Sequence, residues 1–235
     1  GRVLRQAAGR VNHPREPGLV SLVLCGMGGA VGVWDTALSG PGAMCDSVAY
    51  VSAAESLLAG EGFYLFDGVP LASWPPLFPS LIALVSLAGI DTHNAARFIN
   101  AGVFGGIVIL SATWLFALLR AKYLAYLASV AVLLSPAMAH ITSYILSEPI
   151  YILFSLAFIR IMASELETPN GANLLLAAIF AGLAVSTRFI GVTVIGTGGL
   201  LLLFQPNIRL IPRLKRCIIF GVVASAPFLS WLAYN

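Results

Sequence analysis

Long apolar runs alternate with short polar breaks along most of this chain. Runs over Gly18–Leu38, Ala96–Leu119, Tyr123–Met138, Ile145–Met162, Asn173–Thr187, Phe189–Phe204 and Cys217–Leu232 approach the ~20 residues that a helix needs to cross a bilayer. They are joined by short polar connections and lack the alternation of membrane strands, which excludes a barrel. The pattern predicts an all-α, polytopic helical membrane protein with about seven transmembrane helices, forming one transmembrane domain over residues 1–235. With 59% apolar and 10% charged residues, the chain lies well above the roughly 45–50% apolar content of soluble domains.

One stretch breaks the pattern. Residues 39–91 connect the first run to the next, and within them Met44–Pro79 holds Asp46, Glu55, Glu61, Asp67 and the sequence Trp74-Pro75-Pro76. A connection this long in a compact chain is usually functional. Asp46, Tyr50, Ala54 and Leu58 recur at helical spacing, so a helix opening near Asp46 sets carboxylate and phenol on one face. The apolar run Pro75–Ile90 is short and proline-rich at its start, and reads as a second juxtamembrane helix.

Charge settles that choice. If Pro75–Ile90 does not span, the cytoplasmic side collects every Lys and Arg except Arg97 and Arg188. If it does span, only Arg2, Arg5, Arg10, Arg15, Arg97 and Arg188 lie inside. The positive-inside rule favours the first arrangement, with a cytoplasmic N-terminus and an extracytoplasmic first loop in a plasma or inner membrane. The arginines ahead of the first run resemble the start of a signal peptide, but without a clear cleavage site a retained first span is expected. Glycines in Gly26–Gly32 suit close helix packing there. The loop Gln205–Arg216 becomes an inner-surface anchor for anionic lipid headgroups. Basic residues clustered beside spans report orientation, and nothing calls for a nucleic-acid partner. Cys25, Cys45 and Cys217 are odd in number and widely spaced, so neither a disulfide framework nor a zinc site is expected.

The same topology brings Asp46, Glu55, His140, Glu148 and Arg188 to the outer face. Arg188 is isolated among apolar residues, and its guanidinium suits bidentate binding of phosphate or carboxylate. Its plain alternative is an ion pair to Glu148 or Asp46. Glu148 precedes Pro149 at the start of a span, where an acid is favoured by the helix dipole and also marks a site when it sits at membrane depth. Asp46 is either a helix cap or a reactive carboxylate. Tyr50, Trp74 and His140 are candidate substrate contacts. An interfacial aromatic is the plain alternative for Tyr50 and Trp74, and a polar filler for His140. No metal triad assembles from the histidines and Asp91.

Taken in order, the helix Asp46-x-x-x-Tyr50 closing in Gly60-Glu-Gly-Phe63, then Trp74-Pro-Pro-Leu-Phe-Pro79, Leu146-Ser-Glu-Pro149 and Gly182-Leu-Ala-x-x-Thr-Arg-x-x-Gly191 form a pattern. From about Gly18 to Asn235 it resembles the N-terminal half of GT-C membrane glycosyltransferases, the group that includes protein O-mannosyltransferases and the aminoarabinose transferase of lipid A. The resemblance implies transfer of a sugar from a polyprenyl-phosphate donor, with inversion, to an extracytoplasmic protein, lipid or glycan. It implies Asp46 as the catalytic acid of the first loop, Glu148 as a second functional carboxylate and Arg188 as the residue that holds the donor phosphate. Ser47 stands where many relatives carry Glu after the Asp, which leaves acceptor type and any divalent-metal requirement open. Relatives continue beyond this length, so the C-terminal part of the family pattern is expected to be absent from this chain. Readings from other classes are a transporter or a non-catalytic scaffold in which Arg188 and Glu148 form a structural ion pair. A transporter predicts inverted repeats, and none is visible.

Overall fold

A computed structural model describes residues 18–119, 121–206 and 208–235. The arginine cluster Arg2, Arg5, Arg10 and Arg15, and Arg120, all used in the orientation argument, lie outside the described residues.

Helices dominate. They are α1 Leu19–Asp35, α2 Cys45–Leu58, α3 Leu77–Ser86, α4 Thr92–Leu118, α5 Lys122–Leu133, α6 Pro136–Ser143, α7 Glu148–Glu167, α8 Gly171–Thr187, α9 Val192–Leu203 and α10 Leu210–Tyr234, with a 3-10 turn Phe189–Gly191 between α8 and α9. Among the described residues, four segments are long and apolar enough to cross a membrane: Thr92–Leu118, Lys122–Ser143, Glu148–Glu167 and Leu210–Tyr234. Only 17 to 33% of each spanning window is buried inside the protein, and Leu175, Ile179, Ile218 and Val222 face outward. So much exposed apolar surface suits lipid, not water. The chain is a multi-pass membrane protein.

The expected span Tyr123–Met138 falls within Lys122–Ser143 but is interrupted at Leu134–Ser135. Ser135 caps a new helix by accepting from the Met138 amide (3.4 Å), and Pro136 opens it, because proline is tolerated in a first turn but not in a helix interior. His140 therefore sits on α6. The stretch Pro75–Ile90 yields only the 10-residue α3, roughly 15 Å long and about half a hydrocarbon core. The α8 and α9 helices are also shorter than the four spanning segments.

Two glycines let α1 and α4 lie antiparallel at close range. A Cβ at Gly32 would stand 3.2 Å from Ala101 Cα, and one at Gly28 would stand 3.3 Å from Gly105 Cα. Arg97 closes the end of α1. It donates to the Val33 carbonyl and the Thr36 hydroxyl, each at 2.6 Å, satisfying groups that a helix end leaves unpaired.

These contacts define two ends of the bundle. One gathers the end of α1, all of 36–91, the start of α7, the α8–α9 turn and the end of α10. The other gathers the α4–α5 junction, the end of α7 and the α9–α10 loop. The first end carries Asp35, Asp46, Glu55, Glu61, Asp67, Asp91 and Glu148 against Arg97 and Arg188. The second carries Lys122, Arg209, Arg213, Lys215 and Arg216 against Glu165 and Glu167. In the loop predicted to anchor lipid, Arg213 and Arg216 turn inward, to the Leu203 and Ile208 carbonyls and to Glu165 and Gln205 respectively. Arg209 and Lys215 remain exposed.

Candidate active site

The long segment after α1 is ordered by its own sequence. At the end of α2 the Glu61 amide bonds to the Ser56 carbonyl (3.0 Å) and the Gly60 amide to the Leu57 carbonyl (3.1 Å). This reverse turn needs the left-handed conformation of Gly60, φ +79°, which glycine adopts at little cost. The chain then folds back over α2, where the Phe66 amide donates to Ser52 Oγ at 2.9 Å. From α3, Phe78 meets Tyr50 edge to face at 5.0 Å between centroids. Trp74 lies half-buried against both the Tyr50–Phe78 cluster and the cluster around Ala53, Leu71 and Trp231. It packs the loop into the bundle.

Opposite Tyr50 stands the segment Tyr144–Glu148. Asn100 on α4 donates to the Tyr144 (2.8 Å) and Leu146 (3.2 Å) carbonyls. Ser47 donates to the Ile145 carbonyl at 2.8 Å and accepts from the Met44 amide at 2.8 Å. Ser47 is thus buried and its hydroxyl is occupied by the backbone.

Arg188 arrives from the far side, at the corner between α8 and the 3-10 turn. Gly191 packs on the Ala184 and Val185 backbone with no room for a side chain, and its amide bonds to the Arg188 carbonyl at 2.8 Å. That close return fixes the arginine at the bend. Its Nη1 lies 2.6 Å from Glu148 Oε1, with both side chains about one-third exposed (30% and 32%). Glu148 Oε2 is buried and without a partner among the described residues. Arg188 Nη1 also donates to Ser147 Oγ at 3.4 Å, and Ser147 Oγ is 2.9 Å from the Tyr50 hydroxyl.

Burial pushes the Tyr50 phenol up to about 12 against the hydrogen bond from Ser147 and the charge of Arg188, which lower it, while Asp46 and Glu148 raise it further. The phenol therefore feels Asp46, Glu148 and Arg188 together, and at neutral pH it is a proton-bearing hydrogen-bond partner, not a base. His140 is not drawn in. It is exposed on α6, its ring 4.8 Å from that of Tyr144. Among the described residues, no three His, Cys, Asp or Glu side chains come together as metal ligands.

Ser47, Asn100 and Ser147 were not singled out as building the site. Ser47 was visible only as the residue after Asp46, and Ser147 only as the residue preceding an acid and a helix-opening proline.

The family described as dolichyl-phosphate-mannose-protein mannosyltransferase matches residues 64–226, most of the described structure. Together with the apolar helices, this makes the chain a membrane glycosyltransferase of the GT-C type. It belongs to the dolichyl-phosphate-mannose-protein mannosyltransferase family. The match takes in Trp74, His140, Glu148 and Arg188 and begins after Asp46 and Tyr50. No curated protein matches the chain.

Proposed function

We propose that this chain moves a sugar from a polyprenyl-phosphate carrier to an acceptor outside the cytoplasm, with inversion at the anomeric carbon. The acceptor hydroxyl loses its proton to the Asp46 carboxylate as its oxygen bonds the anomeric carbon. The bond from that carbon to the phosphate oxygen breaks, and the phosphate leaves with the electron pair beside Arg188. Positive charge aimed at a leaving group acts where charge develops, and is most effective in a water-poor site. In this reading Trp74, half-buried, is the aromatic offered to the sugar, and Tyr50, itself buried, acts through its hydrogen bond to Ser147. The family's description favours a protein acceptor and a mannosyl donor, and the segregation of acidic and basic residues between the two ends favours an extracytoplasmic site.

One observation carries this reading. Glu148 gives one oxygen to Arg188 and holds the other buried and unpartnered, and a buried acceptor left open costs free energy unless something fills it. A sugar hydroxyl is a suitable occupant. The 2.6 Å contact equally suits a scaffold in which the pair only ties α7 to α8, so the test must separate charge from catalysis. Turnover of polyprenyl-phosphate mannose by purified Asp46→Asn and Arg188→Ala is expected to fall about 10²- to 10³-fold, as when an oxyanion-stabilising donor is lost. The exchange Glu148→Arg with Arg188→Glu is expected to restore thermal stability without restoring turnover. Full turnover by both single variants, at equal folded protein, sinks the site. Turnover recovered by the exchange reduces the pair to a structural tie and overturns the role given to Arg188.

A further inference from the structure

Ser147 sits at the position before the first residue of α7, where a serine ordinarily caps the helix by accepting from an amide inside it. Here it makes no such bond. Its hydroxyl is wholly buried (0% exposed) and lies between the Tyr50 hydroxyl at 2.9 Å and Arg188 Nη1 at 3.4 Å. The backbone around it is fixed by Asn100 and Ser47, and by the Gly42 strand-like contact, in which the Ile145 amide donates to the Gly42 carbonyl at 2.9 Å. A buried hydroxyl is therefore held away from its local partner and toward two distant ones.

We infer that Ser147 is a positioning residue, joining the Tyr50 phenol on α2 to the Arg188 guanidinium so that the carboxylate-bearing helix and the phosphate-holding arm keep one geometry. This rests on the reading of Arg188 as the donor-phosphate residue. The guanidinium only donates, so the serine oxygen accepts from it. Its proton and remaining lone pair are left for the phenol, and one oxygen serves both groups. Glu148 and Ser147 both meet Arg188 at Nη1, and two acceptors on one planar NH2 group fix the guanidinium plane where a single one leaves it free to rotate. Tyr50 cannot do this alone, because it touches Arg188 only through Ser147 among the bonds described.

The test compares Ser147→Ala, Tyr50→Phe, their double variant and Arg188→Ala in nanodiscs. Binding of polyprenyl phosphate and turnover of polyprenyl-phosphate mannose are the readouts, with thermal midpoints recorded alongside. Ser147→Ala is expected to weaken polyprenyl-phosphate binding and raise the donor KM about tenfold, the worth of one hydrogen bond to a charged group. Tyr50→Phe is expected to do so about threefold, and the double variant no more than Ser147→Ala alone, since coupled residues are not additive. Should Ser147→Ala fold poorly, Ser147→Cys keeps the volume with a weak donor and is expected to show an intermediate loss. Wild-type binding by Ser147→Ala or Ser147→Cys, where Arg188→Ala has lost it, overturns this inference and leaves the donor site standing. So does a loss confined to the thermal midpoint, or effects of Ser147→Ala and Tyr50→Phe that multiply. Wild-type binding by Arg188→Ala overturns the donor site and this inference with it.

Discussion

Helix α7 carries a Glu–Arg pair near each end, and the two differ in every respect that matters. At its last turns Glu165 is fully buried and its side chain is 1% exposed. One oxygen meets Arg216 and the other accepts the Asn170 amide at 2.7 Å. Arg216 also reaches Gln205 at 3.0 Å, whose amide bonds the Leu166 carbonyl. Every charge and both carboxylate oxygens are used. At its first residue Glu148 is about one-third exposed, with one buried oxygen idle. The closed pair welds α7 to α10, the α9–α10 loop and the start of α8, whereas the open pair has capacity left for a ligand. A buried ion pair is weak evidence for function by itself, and unused hydrogen-bonding capacity is what separates these two.

Removing one partner from each pair breaks the comparison most forcefully. Arg216→Ala strands a buried carboxylate, and is expected to cost about 3–5 kcal/mol of stability, read as a lowered unfolding midpoint, with turnover per folded molecule little changed. Arg188→Ala leaves a partly exposed carboxylate, so its unfolding midpoint is expected to move far less while turnover collapses as described above. Two variants with the same profile in both assays would erase the distinction between the ends. A smaller effect sharpens it. The Tyr50 phenol, pushed from 10.0 to about 12, keeps its proton in the folded state while the unfolded chain gives it up near pH 10. The folded state then binds more protons between pH 10 and 12, so stability falls as pH rises through that window and is unaffected below it. The contribution lost is about 2–3 kcal/mol, and Tyr50→Phe is expected to remove that part of the pH dependence in alkaline unfolding curves.

Much of this arrangement is readable without coordinates. Periodic apolar runs gave the helices, the Asp46–Tyr50 spacing placed α2, and the isolation of Arg188 among apolar residues announced a partner of opposite charge. Glu148 and Asp46 were both available, and only packing chose Glu148. What escaped has a common cause. Serine and asparagine have no periodic signature, so Ser47, Asn100 and Ser147 are visible only once residues 98, 44 to 46 and 41 positions away are brought beside them. Arg216 hid inside a basic cluster that looks like a membrane anchor, and its acid lies 51 positions away. The break before Pro136 escaped because apolar composition continues across it. Trp74, read as an interfacial aromatic or a sugar contact, also packs the loop core, since a large ring beside two prolines fills the angle between α2 and the end of α10.

The central claim is that Arg188 receives a lipid-borne phosphate. Equilibrium binding of polyprenyl phosphate and of the matching polyprenol, to wild type and to Arg188→Ala in the same nanodiscs, tests it most directly. The account predicts a clear wild-type preference for the phosphate that disappears in Arg188→Ala. Equal binding of both lipids by the wild type, or a preference that survives the loss of Arg188, would contradict it.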